Sequence, residues 1–325
     1  MKPRLLFVYL LSLLLFAESS AHADEIDISA SRVALNDEKA GQQRVGKLEY
    51  RGGLSLSSSD ARFGGLSSLL ISADGKQILA ASDRGSWFSA ELLYDAADDL
   101  KGIASANLAP ITGPDGKALS GRYRDAEALT RGSDGAIILA FEQHHRILRF
   151  APPDRLDAHW LAGEIPELLS APGELAEFNS NAAMEGLATL DGDGLLILTE
   201  GLDNGRAGKP GWLLRHGQAD IRFEYKRAAR LPDGDILVLE RRYTLIGGVA
   251  ALLRIVPEAS IKAGALLDGP ELARLAPPLA VDNMEGIAVR RDSAERTLIY
   301  LISDDNFSVL QRTLLLMFEL SEETD

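Results

Sequence analysis

A repeated 16-residue pattern constrains this chain more than any other feature. Three segments align without a gap, Glu127 to Glu142, Glu185 to Glu200 and Tyr225 to Glu240. Each has Asp-Gly in its middle and Glu at its end. Two longer variants, Gly64 to Asp83 and Glu285 to Asp304, follow the same plan. Self-similarity of this kind predicts a fold that is assembled from several copies of one small unit.

Each repeat has the pattern of a β-hairpin, with an apolar run, an Asp-Gly turn signal and a β-rich run. A third strand follows each hairpin, and a weaker fourth is predicted at ANLAPIT, HWLAGEI, ADIRFEY and ELARLA. Such units predict an all-β fold, a single β-propeller with five blades favoured and six as the alternative. The N-terminal segment RVGKLEYRGGLSL is left over and is expected to close the last blade. A helical solenoid is disfavoured because only ELLYDAADDLKG resembles a helix.

The N-terminus predicts export. Lys2 and Arg4 precede the apolar run Leu5 to Phe16, and Ala21-His22-Ala23 forms a small-x-small cleavage site. This order is typical of a secretory signal peptide over residues 1–23, with an uncleaved anchor as the alternative. The run is shorter than the roughly 20 apolar residues of a membrane span. We therefore expect a periplasmic or secreted protein cleaved near Ala23, with a lead-in over residues 24–45 and a propeller domain over 46–325.

Composition limits the classes of partner. The chain has no cysteine, which excludes disulfides, thiolate metal sites and a thiol nucleophile. It has 48 acidic against 34 basic residues and a net charge of −14. Nucleic-acid binding depends on basic patches that neutralise phosphates, so a nucleic-acid partner is not expected. We expect a monomer without a membrane span that binds a small anionic or ester substrate.

Hairpin geometry predicts where the repeated acids lie. In a propeller the first strand of each blade lines the central channel, and its start shares an edge with the end of the second strand. Glu127, Glu185 and Glu285 stand at first-strand starts and should gather around the channel on one face. The acids at second-strand ends are expected on the same face: Asp83, Glu142, Glu200, Glu240, Asp304 and Asp305. The Asp-Gly turns belong to the opposite face.

Crowded carboxylates repel one another, and a cation relieves that repulsion. Carboxylate and amide oxygens suit Ca²⁺, so we predict that Glu127, Glu185 and Glu285 hold Ca²⁺ or a similar hard cation. Asparagines stand close in sequence to these acids, at Asn181, Asn283 and Asn306.

Arginines offer a second source of positive charge. We predict that four of them bind an anionic substrate, because guanidinium groups match phosphate and carboxylate oxygens: Arg84, Arg124, Arg241 and Arg242. Arg146 and Arg206 also lie near acidic positions. The alternative is a set of Glu–Arg pairs that only ties blades together.

Nucleophile motifs are missing from the sequence, which contains no Gly-x-Ser-x-Gly, His-Glu-x-x-His or P-loop pattern. His144 and His145 follow Glu142 directly and are either a loop feature or a source of a general base. No catalytic residue is assigned from these patterns.

Several of the quoted segments together carry a family resemblance: RDAEALTRGSDGAIILAFE, NAAMEGLATLDGDGLLILTEG, LVLERRYTLIGGVAALLRI, and DNMEGIAVRR with LIYLISDDNF. They resemble the phytase-like family described as "esterase-like activity of phytase", over roughly Gly46 to Leu320. The resemblance implies an exported bacterial β-propeller and an esterase-like or phytase-like hydrolase. With the acids and arginines, we predict a metal-assisted hydrolase of a phosphoester or carboxylic ester. The alternative is a non-catalytic periplasmic binding or scaffold propeller.

Overall fold

The structure is a computed structural model that describes residues 22–178, 184–192, 194–199, 209–214, 221–223, 227–244, 248–262 and 264–321. These residues form five sheets arranged as the blades of a β-propeller, which confirms the predicted all-β fold and the five blades. In the described part of the chain, no helix has the length and apolarity needed to cross a membrane.

Blade 1 follows four strands of the N-terminal region. These are β1 (Asp24–Glu25), β2 (Ile28–Arg32), β3 (Arg44–Val45) and β4 (Leu48–Ser58). Blade 1 itself contains β5 (Leu66–Ile71), β6 (Gln77–Ser82), β7 (Ser86–Tyr94) and β8 (Leu100–Pro110). The short strand β1 pairs with the outer strand β8, so the lead-in segment adds to the edge of this blade.

Blades 2 and 3 repeat the same antiparallel order from the channel outward. Blade 2 contains β9 (Ala126–Arg131), β10 (Ile137–Phe141), β11 (Arg146–Phe150) and β12 (Glu167–Leu169). Blade 3 contains β13 (Met184–Leu190), β14 (Gly194–Thr199), β15 (Lys209–Leu214) and β16 (Ile221–Phe223). Short helical segments accompany these blades, at Gly121–Tyr123, Ala158–Leu161 and Gly173–Glu177.

Blades 4 and 5 complete the ring. Blade 4 contains β17 (Arg227–Arg230), β18 (Ile236–Thr244), β19 (Gly248–Val256) and β21 (Glu271–Leu275). Between its last two strands lie the 3₁₀ turn Glu258–Ser260 and β20 (Leu266–Leu267), which pairs with β16 of blade 3. Blade 5 combines β22 (Met284–Arg291), β23 (Thr297–Ser303) and β24 (Thr313–Leu320) with β4 and β2 from the N-terminal region. The pairing of β4 with β24 closes the ring as predicted.

The core is divided into five layers, one between each pair of neighbouring blades. Alternate residues of one strand enter different layers, because side chains on a strand point to opposite faces. Ile78 and Ala80 pack toward blade 5, while Leu79 and Ala81 pack toward blade 2. Both faces of each blade are thus covered, which explains why second strands such as ILVLE are apolar at consecutive positions rather than alternate ones.

The inner strands β5, β9, β13, β17 and β22 contact one another in a closed ring around the channel. The close contact between these strands explains why a glycine, Gly286, follows Glu285 in the repeat. A methyl group on Gly286 would lie 2.5 Å from Cγ2 of Ile302 and 3.0 Å from the carbonyl carbon of Ser68. Gly286 is therefore required by close packing between blades 5 and 1.

One local expectation is wrong. The segment HWLAGEI was expected to form a strand, but Ala158–Leu161 is a helical turn whose N-cap Asp157 accepts a hydrogen bond from the backbone N–H of His159. The outer strand of blade 2 comes later, at β12. The predicted third strand WFSAELLY is confirmed as β7, and ELLYDAADDLKG, the one helix-like stretch, forms the ends of β7 and β8 and their turn.

We expect Gly286→Ala to destabilise the fold by about 1–3 kcal/mol, because the added methyl group has no free space. Chemical denaturation of the purified protein measures this change. Gly41→Ala is the matched control, since no atom lies within 4 Å of a Cβ at Gly41. Equal stability of the two variants would contradict the close packing at Gly286.

Candidate functional site

Four inner strands begin with the same irregularity. In β13 and β22 the residues flanking Glu185 and Glu285 pair with consecutive residues of the second strand, so each Glu is an extra residue in a β-bulge. The same register shift occurs at Glu127 in β9 and at Ser67 in β5. Bulges bend a strand locally and redirect its side chains. The repeat thus places one bulged residue from each of four blades at the same end of the channel.

These bulged residues line one polar cavity of about 310 Å³ at the channel mouth. Six carboxylate residues and four other polar residues form its wall: Asp83, Glu127, Glu142, Glu185, Glu285, Asp304, Ser67, Arg241, Asn283 and Asn306. Deeper in the channel the space between inner strands shrinks to about 10 Å³. The inner strands thus leave little space below the cavity, while the turn residues Asp191 and Gly192 line a separate pocket at the other end of the channel.

The predicted trio of Glu127, Glu185 and Glu285 meets in the wall of this cavity. Among the described residues, however, the group of acids close enough to share a metal ion contains only one of them. Oxygen atoms of Asp125, Glu127 and Glu142 lie within 4.8 Å of one another. Carboxylate oxygens are the hard donors that Ca²⁺ prefers, and Ca²⁺ requires 6 to 8 oxygen ligands at about 2.3–2.6 Å. These three carboxylates of blade 2 could hold such a cation, and Glu185 lines the same cavity as Glu127 and Glu142.

Two of the acids predicted for this face have other roles. The carboxylate of Glu240 accepts a hydrogen bond from Nε of Arg254 at 2.7 Å, on the neighbouring strand of blade 4. Asp305 accepts bonds from the backbone N–H groups of Gly65 and Phe307 and from the hydroxyl of Thr313. Neither lines the cavity, because the strand end and the tight loop direct their side chains away from it.

Three further predicted residues, Glu200, Asn181 and Arg206, lie outside the described residues.

The four predicted arginines occupy different positions. Arg241 lines the cavity, where its Nη1 donates to Oδ1 of Asn283 and lies 3.5 Å from a carboxylate oxygen of Glu285. Arg84 stacks on the ring of Phe307 at 3.2 Å from its centroid.

Arg124 packs over Gly85, so closely that a Cβ added to Gly85 would lie 2.7 Å from the Cβ of Arg124. Arg84 and Arg124 both lower the pKa of Asp83, so both lie near the cavity. Arg242 is exposed on β18 and does not line the cavity.

Burial and neighbouring acids change the proton affinity of two cavity carboxyl groups. Burial raises the pKa of Asp304 to about 7, and Asp83 and Glu285 add to this shift through charge repulsion. Burial also raises the pKa of Asp83 to about 6, with a contribution from Asp125. Asp304 is therefore protonated in about half of the molecules near neutral pH.

His144, which the sequence offered as a general base, is exposed beside Tyr123. Partial desolvation of the ring by its neighbours and the positive charges of Arg146 and Arg122 lower the pKa of His144. The imidazole is therefore neutral at neutral pH.

Ser67 and Asp125 were not found by sequence reasoning. A signal for Ser67 is present, because it stands seven residues before the turn residue Asp74, the spacing that separates Glu127 from Asp134 and Glu285 from Asp292. Asp125 has a weaker signal, since it stands two residues before Glu127 as Asn283 stands two residues before Glu285.

The fold and the site define a five-bladed propeller with an acidic cavity at one end of its channel. The chain matches the Phytase-like family, described as "Esterase-like activity of phytase", over residues 61–307, and it belongs to that family. No curated protein matches the chain.

Solved propeller structures are similar to this chain at low identity. A catalytically inactive virginiamycin B lyase from Staphylococcus aureus with quinupristin has 10% identity and a TM-score of 0.39, covering 89% of this chain and 99% of its own. A streptogramin B lyase has 10% identity and a TM-score of 0.37, covering 92% and 88%.

We expect the free energy of unfolding to fall between about pH 4 and pH 7 because of Asp304. Its carboxyl group ionises near pH 3.8 when unfolded but near pH 7 when folded, so the unfolded state loses its proton first. Asp304→Asn should reduce this slope, leaving the smaller part that is due to Asp83, and raise stability above pH 7 by on the order of 2 kcal/mol.

Denaturant titrations across this pH range measure the effect. Asp115→Asn, a change at an exposed turn, is the control. An unchanged slope in Asp304→Asn would show that this carboxyl group keeps its ordinary pKa.

Proposed function

We propose that this protein is a metal-assisted hydrolase that cleaves a phosphoester or a carboxylic ester at the acidic cavity. One observation carries this proposal, the convergence of six carboxylate residues on a cavity of about 310 Å³ in a member of the Phytase-like family. We infer the cation, the substrate class and the roles of the residues from the charge and geometry of the cavity.

The negative charge of the cavity wall favours a bound cation. The cavity wall contains six carboxylate residues but one cationic side chain, Arg241. An anionic ester would be repelled by this wall, whereas a hard cation would neutralise it and attract the ester oxygens. A divalent cation held there would polarise the scissile group and make bound water more acidic.

The side chains have separate roles in this proposal. Asp125, Glu127 and Glu142 hold the cation, and Glu185 and Glu285 complete the negative wall. Asp304 keeps a proton near neutral pH and donates it to the leaving oxygen of the ester. Arg241 orients an anionic substrate within the cavity, while Arg84, Arg124 and Arg242 attract it from the surrounding face.

A binding or scaffold propeller is the second candidate, and one contact favours it. Arg241 of blade 4 pairs with Asn283 and Glu285 of blade 5, so part of the charge in the cavity joins two blades. In that case the cation and the ion pair would fix the ring, and no bond would be cleaved.

We expect Glu127→Gln to reduce both calcium affinity and ester hydrolysis, the latter by about 100-fold, because one ligand charge is lost. A panel of phosphomonoester, phosphodiester, lactone and acyl-ester substrates, assayed with calcium and with chelator, measures turnover. Calcium binding is measured separately by the rise of the melting temperature, since a ligand of the folded state stabilises it.

Glu295→Gln is the control, because it removes one exposed carboxylate that pairs with Arg291 in the turn between β22 and β23, away from the cavity. Activity that survives both chelator and Glu127→Gln would contradict metal-assisted hydrolysis. Calcium binding without turnover of any substrate in the panel would favour the binding propeller.

Export also remains a proposal, supported by the signal-peptide pattern of residues 1–23. Cell fractionation and determination of the mature N-terminus test it, with cleavage near Ala23 as the expected result.

A further inference from the structure

A cationic cluster lies beside the acidic cavity on the loops of blade 2. Arg122 and Tyr123 belong to the 3₁₀ turn before β9, His144 belongs to the turn between β10 and β11, and Arg146 is the first residue of β11. The rings of Tyr123 and His144 meet edge to face at 4.6 Å between centroids. The guanidinium groups of Arg122 and Arg146 lie 5.3 Å and 5.7 Å from the Tyr123 centroid. We call these four residues the Tyr123 cluster.

The arginines of this cluster lack acidic partners, unlike most of those in the described chain. Arg62, Arg254 and Arg296, for example, each lie within 3 Å of a carboxylate oxygen. Within the described residues, neither Arg122 nor Arg146 has a carboxylate within the 4.0 Å of an ion pair. The contrast is informative because acids outnumber basic residues 48 to 34 in this chain.

Arg146 is buried, with only 8% of its surface exposed. It donates to the backbone carbonyls of His144 and Tyr123 and lies over the ring of Phe141 at 4.0 Å. These contacts fix the two loops, but carbonyl dipoles do not neutralise a full positive charge. Burial lowers the pKa of Arg146 to about 10, as expected for a cation without a nearby anion.

The exposed side of the cluster presents hydrogen-bond donors over this buried charge. Arg122 uses one N–H on the hydroxyl of Tyr123, at 3.4 Å, and its other donors face solvent. The Tyr123 hydroxyl accepts that bond, so its own hydrogen is directed elsewhere. The exposed imidazole of His144 adds a ring nitrogen, and Nδ1 of the adjacent His145 is buried without a hydrogen-bond partner.

We propose that the Tyr123 cluster is a binding site for an oxyanion, a phosphate-type group, held directly by Arg122, Tyr123 and His144 and electrostatically by Arg146. Planar guanidinium donors suit the oxygens of such a group, and a neighbouring phenol supplies a further donor. The site is separate from the cavity and does not rest on the proposed hydrolysis. If that hydrolysis is also correct, an anionic group next to the scissile ester would fit this position.

The first experiment measures binding of inorganic phosphate by calorimetry and by amide NMR shifts at constant ionic strength. Chelator is present throughout, so that no metal ion in the acidic cavity recruits phosphate. Acetate is titrated in a second arm to separate a phosphate-type group from a carboxylate. We expect saturable phosphate binding, tighter than acetate, with the largest shifts at Tyr123 and His144.

Arg122→Gln should weaken phosphate binding by about tenfold, because one charge-assisted contact is lost. Tyr123→Phe keeps the ring and removes the hydroxyl donor, so it should weaken binding by less. Arg44→Gln is the matched control, since Arg44 is an exposed arginine of the N-terminal hairpin. Arg146 is left unchanged because its removal would release both loops.

Three results would overturn the proposal. One is the absence of saturable binding for phosphate, and another is equal affinity in Arg122→Gln and Arg44→Gln. The third is shifts confined to the acidic cavity, around Glu185 and Glu285. Acetate that binds the cluster more tightly than phosphate would refute the phosphate-type preference.

Discussion

Pairing between the two ends of the chain holds this fold together. Each blade buries both faces of its sheet, so every blade needs a neighbour on either side. Blade 5 contains β22, β23 and β24 from the C-terminal part of the chain, and β4 from the N-terminal part pairs with β24 to complete its sheet. Without this ladder, blade 5 would lose its outer strands, and the layers on both sides of it would be exposed to water.

The closed ring also determines the chemistry at the channel mouth. Inner strands that approach closely leave room only for small residues along the channel, as at Gly286. In four of the five blades, a bulge at the start of the inner strand directs one polar side chain toward the mouth. One local geometry therefore has two results. The glycine permits contact between the inner strands, and the bulge directs the carboxylate toward the cavity.

Much of the fold and part of the site could be predicted from the sequence. The spacing of the repeat indicated the blades and brought Glu127, Glu185 and Glu285 to one cavity, because strand starts have a fixed place in a propeller. Loop residues were harder to place. Asp305 follows Asp304 directly, yet turn hydrogen bonds direct it inward toward Gly65 and Thr313. The pairing of Glu240 with Arg254 on the neighbouring strand likewise depends on a contact that the repeat pattern does not contain.

The difference between blade 4 and the others has a consequence for orientation. Blades 2, 3 and 5 each contribute a bulged glutamate to the cavity and blade 1 contributes a serine, whereas Arg241 enters from blade 4. A ring of five identical side chains would accept a guest molecule in five equivalent rotations about the channel axis. Here a single cationic side chain, Arg241, faces a group of acids on blade 2, so the five rotations are no longer equivalent. The cavity therefore has a single direction along which an asymmetric molecule can align its charge.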